Sequence, residues 1–420
     1  MLAHAFHEAR TALLSLSMFA TLADAQCTPG WRERGNFGTL NGTVFALTVW
    51  DAGNGPELYA GGYFTSAGST AVNHVARWDG VSWHALGSGT DDAVYCFFEY
   101  DGELIIGGQF TTAGGAPANR IAAWNGSSWR NLGTGLNSKV YALGELYGEL
   151  WVGGWFTSAG GIPAQDLAVW DGVRWHVYDL VFDAPLPVPG VHAFLHHDDY
   201  LIVGGEFQSI DGVPAYGLAR FRFAWDNFGV TLAQRPAVHA LRKYNGNLFV
   251  GGYDYLGGGV IDPLLKWYNG SAWGEPREAG VNQYMAVWAL EVVNGLLIVG
   301  GYVPPGYPNE TLVGWDGARW RFLGFGGAPR TAYAIAKFEG DLVVGGDFSD
   351  AGGVPASNIA RYACPPCLVD FDNDGFVTGI DFDLFVQDFE AGNMNADFDN
   401  DGFLTGIDFD MYVLAYEAGS

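Results

Sequence analysis

The sequence predicts an all-β fold, a seven-bladed β-propeller closed by an N-terminal strand, followed by a small α-helical module of two loop-helix units. Three observations carry this. Glycine (62) and tryptophan (16) are abundant while charged residues make up only 16%, a composition of turn-rich β structure rather than of helical bundles or disorder. An apolar run ending in paired glycines recurs along most of the chain. The C-terminal segment carries "DFDNDGFVTGID" at 370–381 and "DFDNDGFLTGID" at 397–408, identical but for Val377 against Leu404.

The first residues read as an export signal, 1–25. Arg10 precedes an apolar run from Thr11 to Leu22, and Ala23-Asp24-Ala25 offers a cleavage site before Gln26. No later stretch is apolar for the roughly 18–20 residues that a membrane span needs. The expectation is a secreted, extracellular or cell-surface protein without a membrane span.

The repeat comes next, over residues 26–363. The runs are "LYAGGYF", "LIIGGQF", "LWVGGWF", "LIVGGEF", "LFVGGYD", "LIVGGYV" and "LVVGGDF", with first glycines at Gly61, Gly107, Gly153, Gly204, Gly251, Gly300 and Gly345. Each copy breaks into four short apolar or alternating runs, which is the pattern of a four-stranded meander. One such sheet has two apolar faces and cannot bury either alone. Copies must therefore stack, and seven placed radially bury every face. The fourth strand is marked by "WDGVSW", "WNGSSW", "WDGVRW", "WYNGSAW" and "WDGARW", whose Asp-Gly or Asn-Gly pairs suit tight turns. The fourth copy has "FAWDNF" instead.

The seventh copy stops at "NIARYAC" without a fourth strand, while "CTPGWRERG" near the start resembles an orphan one. The two ends complete one blade. Aligning Trp31 with Trp83, and Tyr362 with Trp78, sets Cys27 opposite Cys364, and a disulfide there would staple the ring in an oxidising compartment. Cys367 is the alternative partner, and a Cys364–Cys367 pair is a further one. Cys96, inside a strand, reads as a buried thiol.

The paired glycines, followed by an aromatic and then a Trp, resemble the Kelch repeat. The form "GGxFTxAGGxPAxxIAxWDGxxW" is similar to the repeats of large secreted bacterial proteins and of fungal Rax2-like cell-surface proteins. That resemblance implies a propeller fold and leaves function open, since such propellers include binders, adaptors, oxidases and lyases.

Ahead of each glycine pair stands one of Phe45, Tyr95, Tyr141, His192, His239, Trp288 and Tyr333. These are read either as a ring around the centre that stacks on sugars or as packing between blades. His192 and His239 are read as inter-blade histidines. His84 and His176 belong at the rim, and His196 and His197 in a hairpin turn. The loops after the fifth and sixth glycine pairs, with Tyr253, Tyr255, Tyr302 and Tyr307, are read as exposed, either as a binding surface or as neutral loop drift. No nucleophile elbow, P-loop or paired-carboxylate motif appears, so no catalytic residue is assigned.

The net charge of −26 is concentrated at the end: residues 368–420 hold 13 of the 46 acids and no Lys or Arg. Such a surface repels nucleic acid and invites a cation. In the twin loops, after a linker at 364–369, Asp370, Asp372, Asp374, Asp381 and the Phe376 carbonyl form one Ca²⁺ set. Asp397, Asp399, Asp401, Asp408 and the Phe403 carbonyl form the second. A helix follows each loop, with Phe382, Phe385 and Phe389 on one face and Gly392 and Gly419 as caps. This loop-helix pair over 370–420 resembles a type I dockerin. The resemblance implies two Ca²⁺ ions, a cohesin-like partner, and partner-reading positions at Gly379, Ile380, Gly406 and Ile407. The expected function is a non-catalytic binding or scaffold protein whose propeller recognises a glycan or protein. The alternatives are a dockerin-borne carbohydrate-active enzyme, a polysaccharide lyase or hydrolase, and a purely structural surface protein.

Overall fold

The structure is a computed structural model. It describes residues 25–26, 30–31, 37–178, 182–183, 190–229, 232–233, 235–257, 260–276, 285–304, 310–326, 330–363, 371, 376–377, 379–393, 396 and 404–418. The chain divides into two compact units, Trp31–Tyr362 and a second formed by Met1–Gly30 with Ala363–Ser420.

In the larger unit the strands Val44–Asp51, Pro56–Gly62, Val75–Trp78 and Trp83–Ala85 follow one another as an antiparallel meander. The same order recurs behind first strands at Val94–Tyr100, Val140–Leu146, Gly190–His197, Pro236–Tyr244, Ala286–Val293 and Thr331–Phe338. Each first strand touches the first strand of the next sheet, and Thr331–Phe338 touches Val44–Asp51, so the series closes on itself. The core is divided accordingly into slabs between neighbouring sheets. One slab packs Ala336, Phe338, Val343 and Ile359 from the last sheet against Val44, Leu58, Ala60 and Phe64 of the first.

The paired glycines explain how the sheets come this close. At six of the seven pairs a Cβ on the first glycine would strike a valine near the start of the neighbouring sheet: Val94 Cγ1 lies 2.7 Å from that position at Gly61, and Val140 Cγ1 2.5 Å at Gly107; at Gly300 the neighbours are Ile335 and Ala332. At the closure the relation is the same, with Val44 Cγ1 at 2.5 Å from Gly345. A Cβ on the second glycine would overlap a backbone carbonyl, that of Thr43 at Gly62, Ala93 at Gly108 and Lys139 at Gly154. Those carbonyls accept the N–H of the residue after the pair: Tyr63 to Thr43 at 2.8 Å, Gln109 to Ala93 at 2.8 Å, Trp155 to Lys139 at 2.9 Å. The bond passes over the second glycine, and only hydrogen fits beneath it.

The strand carrying Trp31, Gly30–Trp31, pairs with Ile359–Ala363 of the last sheet. Trp31 Nε1 donates to Leu323 O at 2.7 Å, as Trp129 Nε1 does to Leu86 O at 2.8 Å and Trp175 Nε1 to Leu132 O at 2.9 Å. Asn358 Nδ2 adds a bond to Leu40 O at 2.8 Å across the same closure. Cys27, Cys364 and Cys367 lie outside the described residues. Cys96 is a free thiol whose burial pushes its pKa well above the ordinary value.

In the smaller unit the helices Gly379–Ala391 and Gly406–Ala418 pack through Phe385 and Tyr412, both fully buried, with ring centroids 3.7 Å apart and planes 1° from parallel. Phe371, Phe382, Phe389, Phe409 and Tyr416 surround them. Gly392, at φ 74, ends the first helix; Gly419 lies outside the described residues. The strand Ala25–Gln26 pairs antiparallel with Phe376–Val377.

Gly154→Ala tests the glycine constraint, because its neighbour is backbone and cannot rotate away. We expect a loss of about 2–4 kcal/mol in chemical denaturation, and an unchanged midpoint would contradict the packing described.

Candidate functional site

The site follows from a break in strand alternation. In the first sheet Val44 pairs with Gly62 and Ala46 with Gly61, leaving Phe45 without a partner. The same skip falls at Tyr95, Tyr141, His192, His239, Trp288 and Tyr333. Each is a β-bulge, which kinks the strand and re-aims the extra side chain. The bulged residues meet one another. Ring centroids lie 5.3 Å apart for Phe45–Tyr95, 5.5 Å for Tyr95–Tyr141, 5.1 Å for Tyr141–His192 and 4.6 Å for His192–His239. The circuit continues with His239–Trp288 at 4.2 Å and Trp288–Tyr333 at 5.7 Å, and closes with Tyr333–Phe45 at 5.4 Å. Of the two readings of these residues, the ring describes their placement, and their main aromatic neighbours are one another.

A second tier was not recognised in the sequence: the residue after each glycine pair, Tyr63, Gln109, Trp155, Glu206, Tyr253, Tyr302 and Asp347. Tyr95 Oη donates to Gln109 Oε1 at 3.1 Å, and Gln109 Nε2 to Asp92 Oδ2 at 3.1 Å. Tyr253 stacks on His239 with centroids 5.4 Å apart and donates to Glu206 Oε1 at 3.4 Å. His192 Nε2 lies 3.8 Å from the same carboxylate. Tyr63, by contrast, is 63% exposed. The signal was available, since a position that is large or polar in every copy, directly after an invariant pair, cannot be ordinary loop drift.

Burial sets the protonation of this cluster. It lowers His192 to about 4 and holds His239 well below the ordinary histidine value, with the His192 charge adding to the effect. It raises Glu206, against the Tyr253 hydrogen bond, and raises Tyr141 to about 12. The imidazoles are neutral at pH 7, and their Nε2 atoms are buried without a partner among the described residues. The arrangement provides stacking faces next to hydrogen-bonding groups, which suits binding.

Several sequence expectations are corrected. Tyr253, Tyr255 and Tyr302 are half-buried rather than an exposed surface, because the strand Asn247–Gly257 extends through the fifth loop and carries Tyr253 onto His239. Tyr307 lies outside the described residues. His196 and His197 end a strand, and the turn beyond them is Asp198-Asp199. His84 and His176 each pair with a turn aspartate, Asp79 and Asp171, at 2.6 Å.

Of the calcium positions, Asp381 and Asp408 are described, each the third residue of its helix and without exposure to solvent. Asp381 Oδ1 accepts from Phe371 N at 2.7 Å, and Asp408 Oδ2 from Thr405 N at 2.7 Å. Phe376 lies in a two-residue strand. Asp370, Asp372, Asp374, Asp397, Asp399, Asp401 and Phe403 lie outside the described residues. Gly379 and Ile380 open the first helix and Gly406 and Ile407 the second; Gly379 and Gly406 are exposed, and Ile407 is 59% exposed. No helix among the described residues is long and apolar enough to cross a membrane.

A family described as a β-propeller domain of unknown function, DUF5122, matches residues 101–122, 198–222 and 340–363. These segments fall in three of the repeats, and the chain is a β-propeller. Among solved structures, similarity extends to the extracellular domain assigned to a hybrid two-component system of B. thetaiotaomicron, at 15% identity and a TM-score of 0.49. The match covers 80% of this chain and 39% of that one. It extends also to a GH74 xyloglucanase from Xanthomonas campestris, at 15% identity and a TM-score of 0.46, over 76% of this chain and 52% of that one. The chain thus spans well under two thirds of either. No curated protein matches it.

Neutral histidines inside the ring make stability depend on pH. The unfolded chain binds a proton near pH 6.5 and the folded chain at His192 only near about 4. The contribution is therefore present above 6.5 and lost as pH falls toward 4. His192→Phe should reduce the loss of stability between pH 6.5 and 4.5 by on the order of 1–3 kcal/mol, measured by denaturant unfolding, and an identical pH slope in both proteins would contradict a buried neutral His192.

Proposed function

We propose that this chain is an extracellular, non-catalytic binding protein: a seven-bladed, Kelch-like propeller that recognises a glycan over its central ring. A C-terminal dockerin-like module would assemble with a cohesin-like partner in the presence of Ca²⁺. The observation that carries the glycan reading is the closed circuit of seven aromatic and imidazole rings beneath a tier of Gln109, Glu206 and Tyr253. A pyranose presents an apolar C–H face and a rim of hydroxyls, and this tier offers both complements.

The calcium reading rests on the ligand pattern. Each twelve-residue run places Asp at positions 1, 3, 5 and 12 with a glycine at 6, and the segment 368–420 holds 13 acids and no Lys or Arg. A hard divalent cation suits such a set of oxygens. The residues that would hold two ions are Asp370, Asp372, Asp374, Asp381 and the Phe376 carbonyl, then Asp397, Asp399, Asp401, Asp408 and the Phe403 carbonyl. Gly379, Ile380, Gly406 and Ile407 would face the partner, Ile407 being exposed.

The test uses the full chain with and without EGTA, and the variants Tyr63→Ser and Tyr253→Ser. Calorimetric titration with cellohexaose, xylohexaose and mannohexaose should show binding to at least one, weakened about tenfold by either variant. EGTA should lower the melting of the helical unit and excess Ca²⁺ restore it, since binding energy at such a site is folding energy. No binding, or equal binding by the variants, overturns the glycan reading, and melting indifferent to EGTA overturns the calcium reading.

A further inference from the structure

The strand Val140–Leu146 carries Tyr141 at its bulged end and runs into a two-residue turn, Tyr147-Gly148, at its other end. The corresponding turns begin with Asp101, Asp198, Asn245, Asn294 and Glu339, all at positive φ. Short polar residues tolerate that conformation, whereas a tyrosine there is strained. Tyr147 nonetheless adopts φ 56 and leaves its ring 58% exposed. Outliers of this kind cluster at functional sites; the Tyr147 hydroxyl also donates to Asp199 O at 3.5 Å on the neighbouring sheet.

Beside it, the hairpin between Leu218–Phe221 and Trp225–Asp226 breaks the repeat pattern again. Where five other copies turn on Asp-Gly or Asn-Gly, this one uses Arg222-Phe223-Ala224. Phe223 is 80% exposed and lies nearly parallel to Tyr147, with centroids 6.0 Å apart and planes at 13°. Arg222 fixes the pair: its guanidinium lies 5.4 Å from the Phe223 ring and 5.8 Å from that of Tyr200, and it bonds Asp199 at 2.8 Å. Two turns from neighbouring sheets thus depart from the repeat at one place, and the departures meet.

We infer that Tyr147 and Phe223 form a second saccharide platform, at the opposite end of the strands from the bulged ring. A pyranose would lay its C–H face on the exposed Phe223 ring of this stacked pair, with hydroxyls donating to Asp199 and accepting from Arg222. The guanidinium already over Phe223 disfavours a cationic ligand, and the Arg222–Asp199 pair leaves the rim suited to a neutral or weakly acidic sugar. This inference does not rest on the central ring, from which it is separated by the length of a strand, about 20 Å.

The test is calorimetric titration of the full chain in a Tyr63→Ser background with cellohexaose, xylohexaose and mannohexaose, and with decaproline as a peptide probe. At least one hexasaccharide should bind, and Tyr147→Asn and Phe223→Ser should each weaken it about tenfold or more. Tyr147→Asn should at the same time keep or raise the melting temperature, because it relieves the strained turn. A tyrosine held there for structure alone would give a lower melting temperature instead. Absence of hexasaccharide binding, binding unaffected by both substitutions, or binding of decaproline in place of the sugars each overturns the proposal.

Discussion

One steric constraint organises the propeller: each Gly-Gly pair must accommodate a neighbouring side chain on its first residue, a valine at six of the seven and Ile335 with Ala332 at Gly300, and a crossing backbone carbonyl on its second. The first contact sets how closely adjacent sheets approach, and at Gly345 it is the Val44 side chain that closes the circuit. The second contact holds the bulge, because the carbonyl that lies over Gly62 belongs to Thr43, two residues before the extra residue Phe45. Without the bulge Phe45 would follow the strict alternation of a strand and point to one of the sheet faces. With it, the aromatic leaves the inter-sheet slab and meets its counterparts. The glycines therefore place the ring without touching a ligand.

Much of the fold was legible because it is periodic. The glycine spacing, the fourth-strand tryptophans and the orphan Trp31 are each local signals that repeat, and Trp31 makes the same bond to a preceding carbonyl as Trp129 and Trp175. The site was less legible. Positions such as Phe45 and His192 could be found by spacing, but a bulge changes the direction of a side chain without changing the sequence pattern around it. The alternatives of ring and packing could not be separated from residues alone. Tyr253 was misplaced for a related reason: the glycine-rich run after it reads as a loop, whereas the strand Asn247–Gly257 carries on and buries one side of the ring. In the tail, the twelve-residue spacing singles out Asp381 and Asp408 as the last position of each loop, and their burial in the first turns of two helices is a property that a sequence cannot show.

The two ends of one strand illustrate how the repeat distributes its demands. At Tyr141 the aromatic sits where every copy has a ring, and the bulge supports it at no cost in backbone strain. At Tyr147 the aromatic sits where five other copies have Asp101, Asp198, Asn245, Asn294 or Glu339, and the turn is strained to hold it. Shared features belong to the architecture, and departures from it are where an individual function is written.

The account stands or falls on the glycine contact at the closure, and a double-mutant cycle of Gly345→Ala with Val44→Ala measures it directly. The added methyl of the first substitution occupies the space vacated by the second, so Gly345→Ala should cost less in the Val44→Ala background than in the native chain. The account predicts a coupling of at least about 1 kcal/mol in denaturant unfolding. Additive effects would show that Gly345 and Val44 do not meet, and would contradict the ring.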